Sequence, residues 1–173
     1  MKQHFIIGLI LLLGSSSALS DIFVEVNATM LTPVCDIRSE NYSSPLVIDF
    51  GTVNSEQLNG NTVDRDFPIY LSGCDFNKSI AITLNTRDGN TLMHNGQALL
   101  ATTIKGLGIQ FNETTEGTIR FLDVNAIQAI HPIQVNATEY RTDIQAQLVG
   151  TIPADELSSG RFTSSMTVLV MYE

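Results

Sequence analysis

The last fourteen residues, Gly160-Arg-Phe-Thr-Ser-Ser-Met-Thr-Val-Leu-Val-Met-Tyr-Glu173, constrain the fold more than any other stretch. In an extended chain Phe162, Met166, Val168, Val170 and Tyr172 share one face, interrupted at Ser164, and Ser165, Thr167, Leu169 and Met171 share the other. The pattern predicts one β-strand running up to the terminal carboxylate of Glu173. A strand apolar on both faces near its end is expected to be buried on both. Left uncovered, its ladder of N–H and C=O groups invites another strand to pair. The rest of the chain has to be read for what that partner is.

The opposite end predicts export. Met1-Lys2-Gln3-His4 is a short basic start, Phe5 to Leu13 is an apolar run, and Gly14 to Ser20 is rich in small residues. This is the pattern of a secretory signal, residues 1–20, cut before Asp21. The apolar run has about half of the ~20 residues a spanning helix needs, so no membrane insertion is expected. The remaining 153 residues suit one domain with a real core. With Lys2 gone, eighteen acids stand against eight Lys and Arg, a net charge of −10. Nucleic acid and anionic lipid are poor partners for such a surface, because phosphate binding needs clustered cations.

Cys35 and Cys74 both lie in the exported part, where an oxidising compartment favours a disulfide closing a loop of about 40 residues, worth roughly 3–4 kcal/mol in the chain-entropy model. His94 and His131 sit at no zinc spacing from either cysteine, so no metal or cofactor is expected.

Strand signals recur along the chain. Asp21 to Thr32 alternates, with Ile22, Val24, Val26, Ala28 and Met30 on one face. It reads either as the first strand of a sandwich or as a detachable arm that donates a strand elsewhere. Leu46–Val53 is predicted as an apolar strand, and 65–74 alternates Phe67, Ile69 and Leu71 inward, with Pro68 suggesting an edge or a bulge. Further strands are expected at 79–84, 99–104, 108–111, 118–122, 129–135 and 140–149, with turn chemistry at 85–90. Only Val124 to Ile130 could pass for a helical turn. Short strands with turns between them at this spacing predict an all-β sandwich.

No catalytic constellation emerges. There is no Gly-x-Ser-x-Gly elbow, and Gly106-Leu-Gly108 is too short for a dinucleotide loop. Asp64 and Asp66 flank Arg65 in imitation of a carboxylate pair, but a solvated polar face explains them more simply. His131, before Pro132 in a predicted strand, reads as a surface or core residue. Asn-x-Ser/Thr matches such as those at Asn27, Asn77, Asn112 and Asn136 matter only in a glycosylating host.

Taken together, the alternating N-terminal arm, the cysteine after Pro33-Val34, Asp49-Phe-Gly51, the second cysteine, Gly160 fourteenth from the end and the penultimate Tyr172 resemble the pilin subunits of chaperone–usher fimbriae. The layout is most similar to the minor or adaptor subunits of P-type and type 1-like pili. The resemblance implies an incomplete immunoglobulin-like sandwich lacking its final strand. It divides the mature chain into a donor-strand extension, 21–31, and a pilin domain, 32–173. A periplasmic chaperone would lend a strand beside Gly160, Phe162, Met166, Val168, Val170 and Tyr172, and would hold the carboxylate of Glu173. At an outer-membrane usher, the arm of a neighbouring fimbrial subunit would replace it. Ile22, Val24, Val26, Ala28 and Met30 would be the donor side chains. Ala28 departs from the glycine usual in such arms, and its methyl needs room in the acceptor. The implied protein is no enzyme but a structural unit of a cell-surface fibre, exported through the periplasm. The alternative is a self-contained exported β-sandwich that binds carbohydrate or protein through its loops.

Overall fold

The computed structural model describes residues 35–58 and 62–172. Their strands, in chain order, are β1 (Asp36–Ser39), β2 (Asp64–Ser72), β3 (Ile80–Thr86), β4 (Thr91–His94), β5 (Gln97–Ala101), β6 (Leu107–Glu113), β7 (Arg120–Leu122), β8 (Ile127–Ala129), β9 (Ile133–Gln134), β10 (Glu139–Gly150) and β11 (Met166–Tyr172). Three short 3-10 turns, at Ser55–Leu58, Thr115–Gly117 and Ala154–Glu156, are the helical elements among the described residues. The all-β expectation holds.

The strands form two sheets. The large one runs β1-β2-β10-β6-β5-β4, with β7 also on β6 and β9 also on β10; the small one runs β11-β3-β8. Every pairing within them is antiparallel. The period-two pattern explains which faces meet. In β2 the residues Phe67, Ile69 and Leu71 are buried, and in β10 so are Thr142, Ile144, Ala146 and Leu148. Ile109 and Phe111 of β6 and Ile80, Ile82 and Leu84 of β3 join the same core, with the Phe67 and Phe111 rings edge-on at 6.4 Å. Each such side chain contributes about 1.5–3 kcal/mol on leaving water. β3 is buried along both faces from Ile80 to Leu84.

The cysteines are joined as expected. Cys35 and Cys74 form a disulfide with Cα atoms 4.7 Å apart. The register Asp36↔Ser72 brings the start of β1 and the end of β2 side by side, which sets the bridge's position.

Several boundaries differ from the sequence reading. Leu46–Val53 forms no ladder strand. The segment passes β2, and the Arg65 guanidinium donates to the carbonyls of Asp49, at 3.1 Å, and Phe50, at 3.0 Å. β1 has already ended opposite Ile69, and the next residue of β2, Pro68, has no N–H to offer a ladder. Val124 to Ile130 is no helical turn either, since it contains β8. The terminal strand begins at Met166 rather than Gly160, whose φ of 153° suits glycine. β4 has no counterpart in the strand pattern of the sequence. It pairs with β5 through the two-residue turn Asn95-Gly96, both at positive φ, the hairpin chemistry that Asn-Gly favours.

Candidate functional site

The terminal strand β11 lies at the end of the small sheet. It pairs with β3 in the register Met166↔Thr86 to Tyr172↔Ile80, and among the described residues no strand lies along its other edge. Its alternation is realised as the sequence suggests, but the expected burial of both faces is not, since Thr167 and Leu169 are exposed. Met166, Val168, Val170 and Tyr172 turn towards the core together with Phe162, while Leu169, on the opposite face, is 45 % exposed. The inward side chains are only half-buried, in contrast to the sealed residues of β3 beside them.

Local contacts fix how the chain enters β11. Thr163 accepts at its carbonyl from the N–H of Thr103, 3.1 Å away, and donates its own N–H to the Thr103 hydroxyl, also at 3.1 Å. The Ser164 hydroxyl donates to the carbonyl of Ala101 at 2.6 Å, and the N–H of Arg87 to that of Ser165 at 3.3 Å. Residues 163–165 thus bridge from β5 of the large sheet to the end of β3 in the small one. The Phe162 ring leans on Phe50 at 6.3 Å between centroids. At the far end the Tyr172 hydroxyl accepts from the N–H of Asp75 at 2.6 Å, and the Lys78 ammonium stands 4.8 Å from its ring. The penultimate tyrosine is therefore moored to the turn that follows the disulfide.

The chain is 25% identical, over its whole length and 97% of the relative's, to a fimbrial-like protein of Escherichia coli K12, YfcR. In fold it is similar to the P pilus rod subunit PapA, with a TM-score of 0.60 at 16% identity, 81% of this chain and 99% of PapA being covered. The described domain has the pilin fold. The P pilus adaptor subunit PapF is similar too, with a TM-score of 0.54 at 20% identity, over 82% of this chain and 97% of PapF. No family model matches the sequence. The resemblance to chaperone–usher pilus subunits read from the sequence thus meets both a sequence relative and two pilins of known structure.

Within this fold the structure gathers Phe162, Met166, Val168, Val170 and Tyr172 on one side of the core, with Gly160 in the approach to them. Ile22, Val24, Val26, Ala28 and Met30, and the terminal Glu173, lie outside the described residues. The partners of Tyr172, Asp75 and Lys78, and the Thr103–Thr163 pair were not singled out by sequence reasoning. Polar residues far apart in sequence carry no periodic signal.

The described domain also contains a buried carboxylate. Glu113 is 0 % exposed at the end of β6. It accepts from the backbone N–H of His131 at 2.6 Å, faces the His131 ring nitrogen Nδ1 at 3.1 Å, and pairs with Arg120 at 3.3 Å and the Thr115 hydroxyl at 3.4 Å. This set ties β6, β7 and the chain after β8 together. A buried charge is tolerated when its lone pairs are taken up in this way. The Asp64 and Asp66 carboxylates both accept from the Gln145 amide, at 2.9 and 3.1 Å, and Arg65 is spent on backbone carbonyls. The arrangement is that of a polar sheet face. Among the described residues no group of three or more His, Cys, Asp or Glu is placed to hold a metal ion, and no helix is long and apolar enough to cross a membrane.

Proposed function

We propose that this chain is a structural subunit of a chaperone–usher fimbrium, polymerised by donor-strand exchange and without catalytic activity. The observation that carries the reading is β11. From Met166 to Met171 it is laddered on one side only among the described residues, and its core-facing side chains are left half-covered. An added strand would supply main-chain hydrogen bonds along that edge and alternate apolar side chains over Val168 and Val170. The donor would be 21–31 of a neighbouring subunit, with Ile22, Val24, Val26, Ala28 and Met30 entering the groove in register. Head-to-tail contacts of this kind do not close, so they yield a fibre. Before assembly, a periplasmic chaperone would occupy the groove and an outer-membrane usher would direct the exchange. Within the fibre we favour a minor or tip-adaptor position, on the layout of the sequence.

The test is thermal unfolding of residues 32–173 with and without a synthetic peptide of 21–31, and with arm peptides of candidate neighbours. The reading expects a marginal domain that gains many degrees with one of these strands. Stability that is high alone and indifferent to every peptide would favour a self-contained binding module. Self-polymerisation of the mature chain would argue for a shaft rather than an adaptor position.

A further inference from the structure

On the outer face of the large sheet three side chains form a stack. The Arg38 guanidinium carbon lies 4.3 Å from the ring centroid of Tyr42 and 4.1 Å from that of Tyr70, and Arg38 Nε donates to Glu139 at 2.8 Å. The arginine is thus held between two rings and a carboxylate, and its guanidinium lies over Tyr42. Yet Tyr42 is 75 % exposed. Its φ of 53° is uncommon for a bulky non-glycine residue, a strain that concentrates at ligand-contacting positions. A strained, clamped and uncovered aromatic is a poor choice for stability alone.

Next to it lies a cleft. The two residues before Tyr42, Glu40 and Asn41, line it with Leu46, Val47, Asp66 and Pro68. Pro68 and Asp66 lie on the outer face of β2 with Tyr70, while Phe67 and Ile48, which pack on the core, also reach the cleft wall. No hydrogen bond among the described residues engages the side chain of Glu40 or Asn41, whereas Arg65, also in the cleft wall, is committed to carbonyls. The cleft's volume of about 210 Å³ falls below the ~300–1,000 Å³ of pockets for drug-sized ligands and suits a single ring.

We propose that Tyr42 and this cleft bind an uncharged hexose ring. The apolar C–H face of the sugar would stack on the open face of Tyr42. Its hydroxyls would donate to the Glu40 carboxylate and exchange hydrogen bonds with the Asn41 amide, which can both donate and accept. The carboxylates of Glu40, Asp49 and Asp66 at the cleft, on a chain of formal charge −9, disfavour phosphorylated and sialylated ligands. The site is independent of β11 and of the assembly reading above.

The experiment follows the Tyr42 ring signals of the full chain by NMR during titration with methyl glycosides of glucose, galactose, mannose and N-acetylglucosamine, with a sialylated trisaccharide as the charged control. One neutral glycoside is expected to shift these signals with millimolar affinity. Tyr42→Ala should weaken it by about tenfold or more, and Tyr42→Phe should retain it. Asn41→Ala, which leaves the Arg38 stack intact, should weaken binding without moving the unfolding temperature, so the result does not depend on Tyr42→Ala folding. Silence with every neutral sugar, equal binding by Asn41→Ala, or preference for the sialylated ligand would overturn the proposal.

Discussion

β10 and β11 are both alternating strands facing one core, and they end up in different states. β10 is paired on both sides, with β2 and β6, and its inward residues Ile144, Ala146 and Leu148 are sealed. β11 is paired with β3 alone among the described residues, and Met166, Val168, Val170 and Tyr172 remain half-covered. The difference does not come from hydrophobicity, since Val168, Val170 and Met166 are no less apolar than Ala146, which is sealed. It comes from neighbours. A strand's own pattern decides which face turns inward, and the strands beside it decide how far that face leaves water.

The contrast can be pressed by mutation. Ile144→Ala in the sealed strand should cost about 2–5 kcal/mol, as for other large-to-small core changes, read by denaturant unfolding. A value under 1 kcal/mol would mean the β10 side is as open as the other. Replacing both cysteines by serine should cost roughly 2–5 kcal/mol, because it frees the loop of 39 residues' separation that joins β1 to β2. Glu113→Ala, opposite Ile144 in the register, would strand Arg120 and the N–H of His131, at about 1–3 kcal/mol. Restoration of stability by pairing it with Arg120→Met would show that the cost lies in the unpaired charge.

Val168→Ala should cost only about 1 kcal/mol in the chain alone, since the side chain is already half in water, and more once a strand peptide covers it. Equal costs in both states would remove the distinction between the two strands. Leu169→Ser, on the outward face, is the smallest change, expected within about 0.5 kcal/mol of neutral by thermal unfolding.

Much of this was legible in the sequence where period-two patterns run long. β2, β3 and β10 were expected within a few residues of where they stand, with Phe67, Ile69 and Leu71 inward. The core-facing set of β11 was read from alternation as well. The misreadings share a cause. Leu46–Val53 has a strand's composition but lies where Pro68 has no N–H to give, and that juxtaposition is tertiary. Val124 to Ile130 is too short for its period to decide between helix and strand. β4 holds only four residues, Thr91-Leu-Met-His94, and its signal sat in the Asn95-Gly96 turn rather than in the strand. The moorings of the candidate site, Thr103 to Thr163 and Asp75 to Tyr172, join residues sixty and ninety-seven apart, beyond what any local pattern encodes.

The disulfide has a mechanical meaning as well as a thermodynamic one. Cys35 stands at the threshold of the described domain, one residue ahead of β1, and its partner lies just past the end of β2. Tension applied to the chain before Cys35 cannot peel the four residues of β1 away one bond at a time, because the covalent link passes the load at once to β2. There it meets the ladder of nine register pairs between β2 and β10, from Ser72 to Asp64. A pull on this end of the domain is therefore resisted by the middle of its larger sheet instead of its edge.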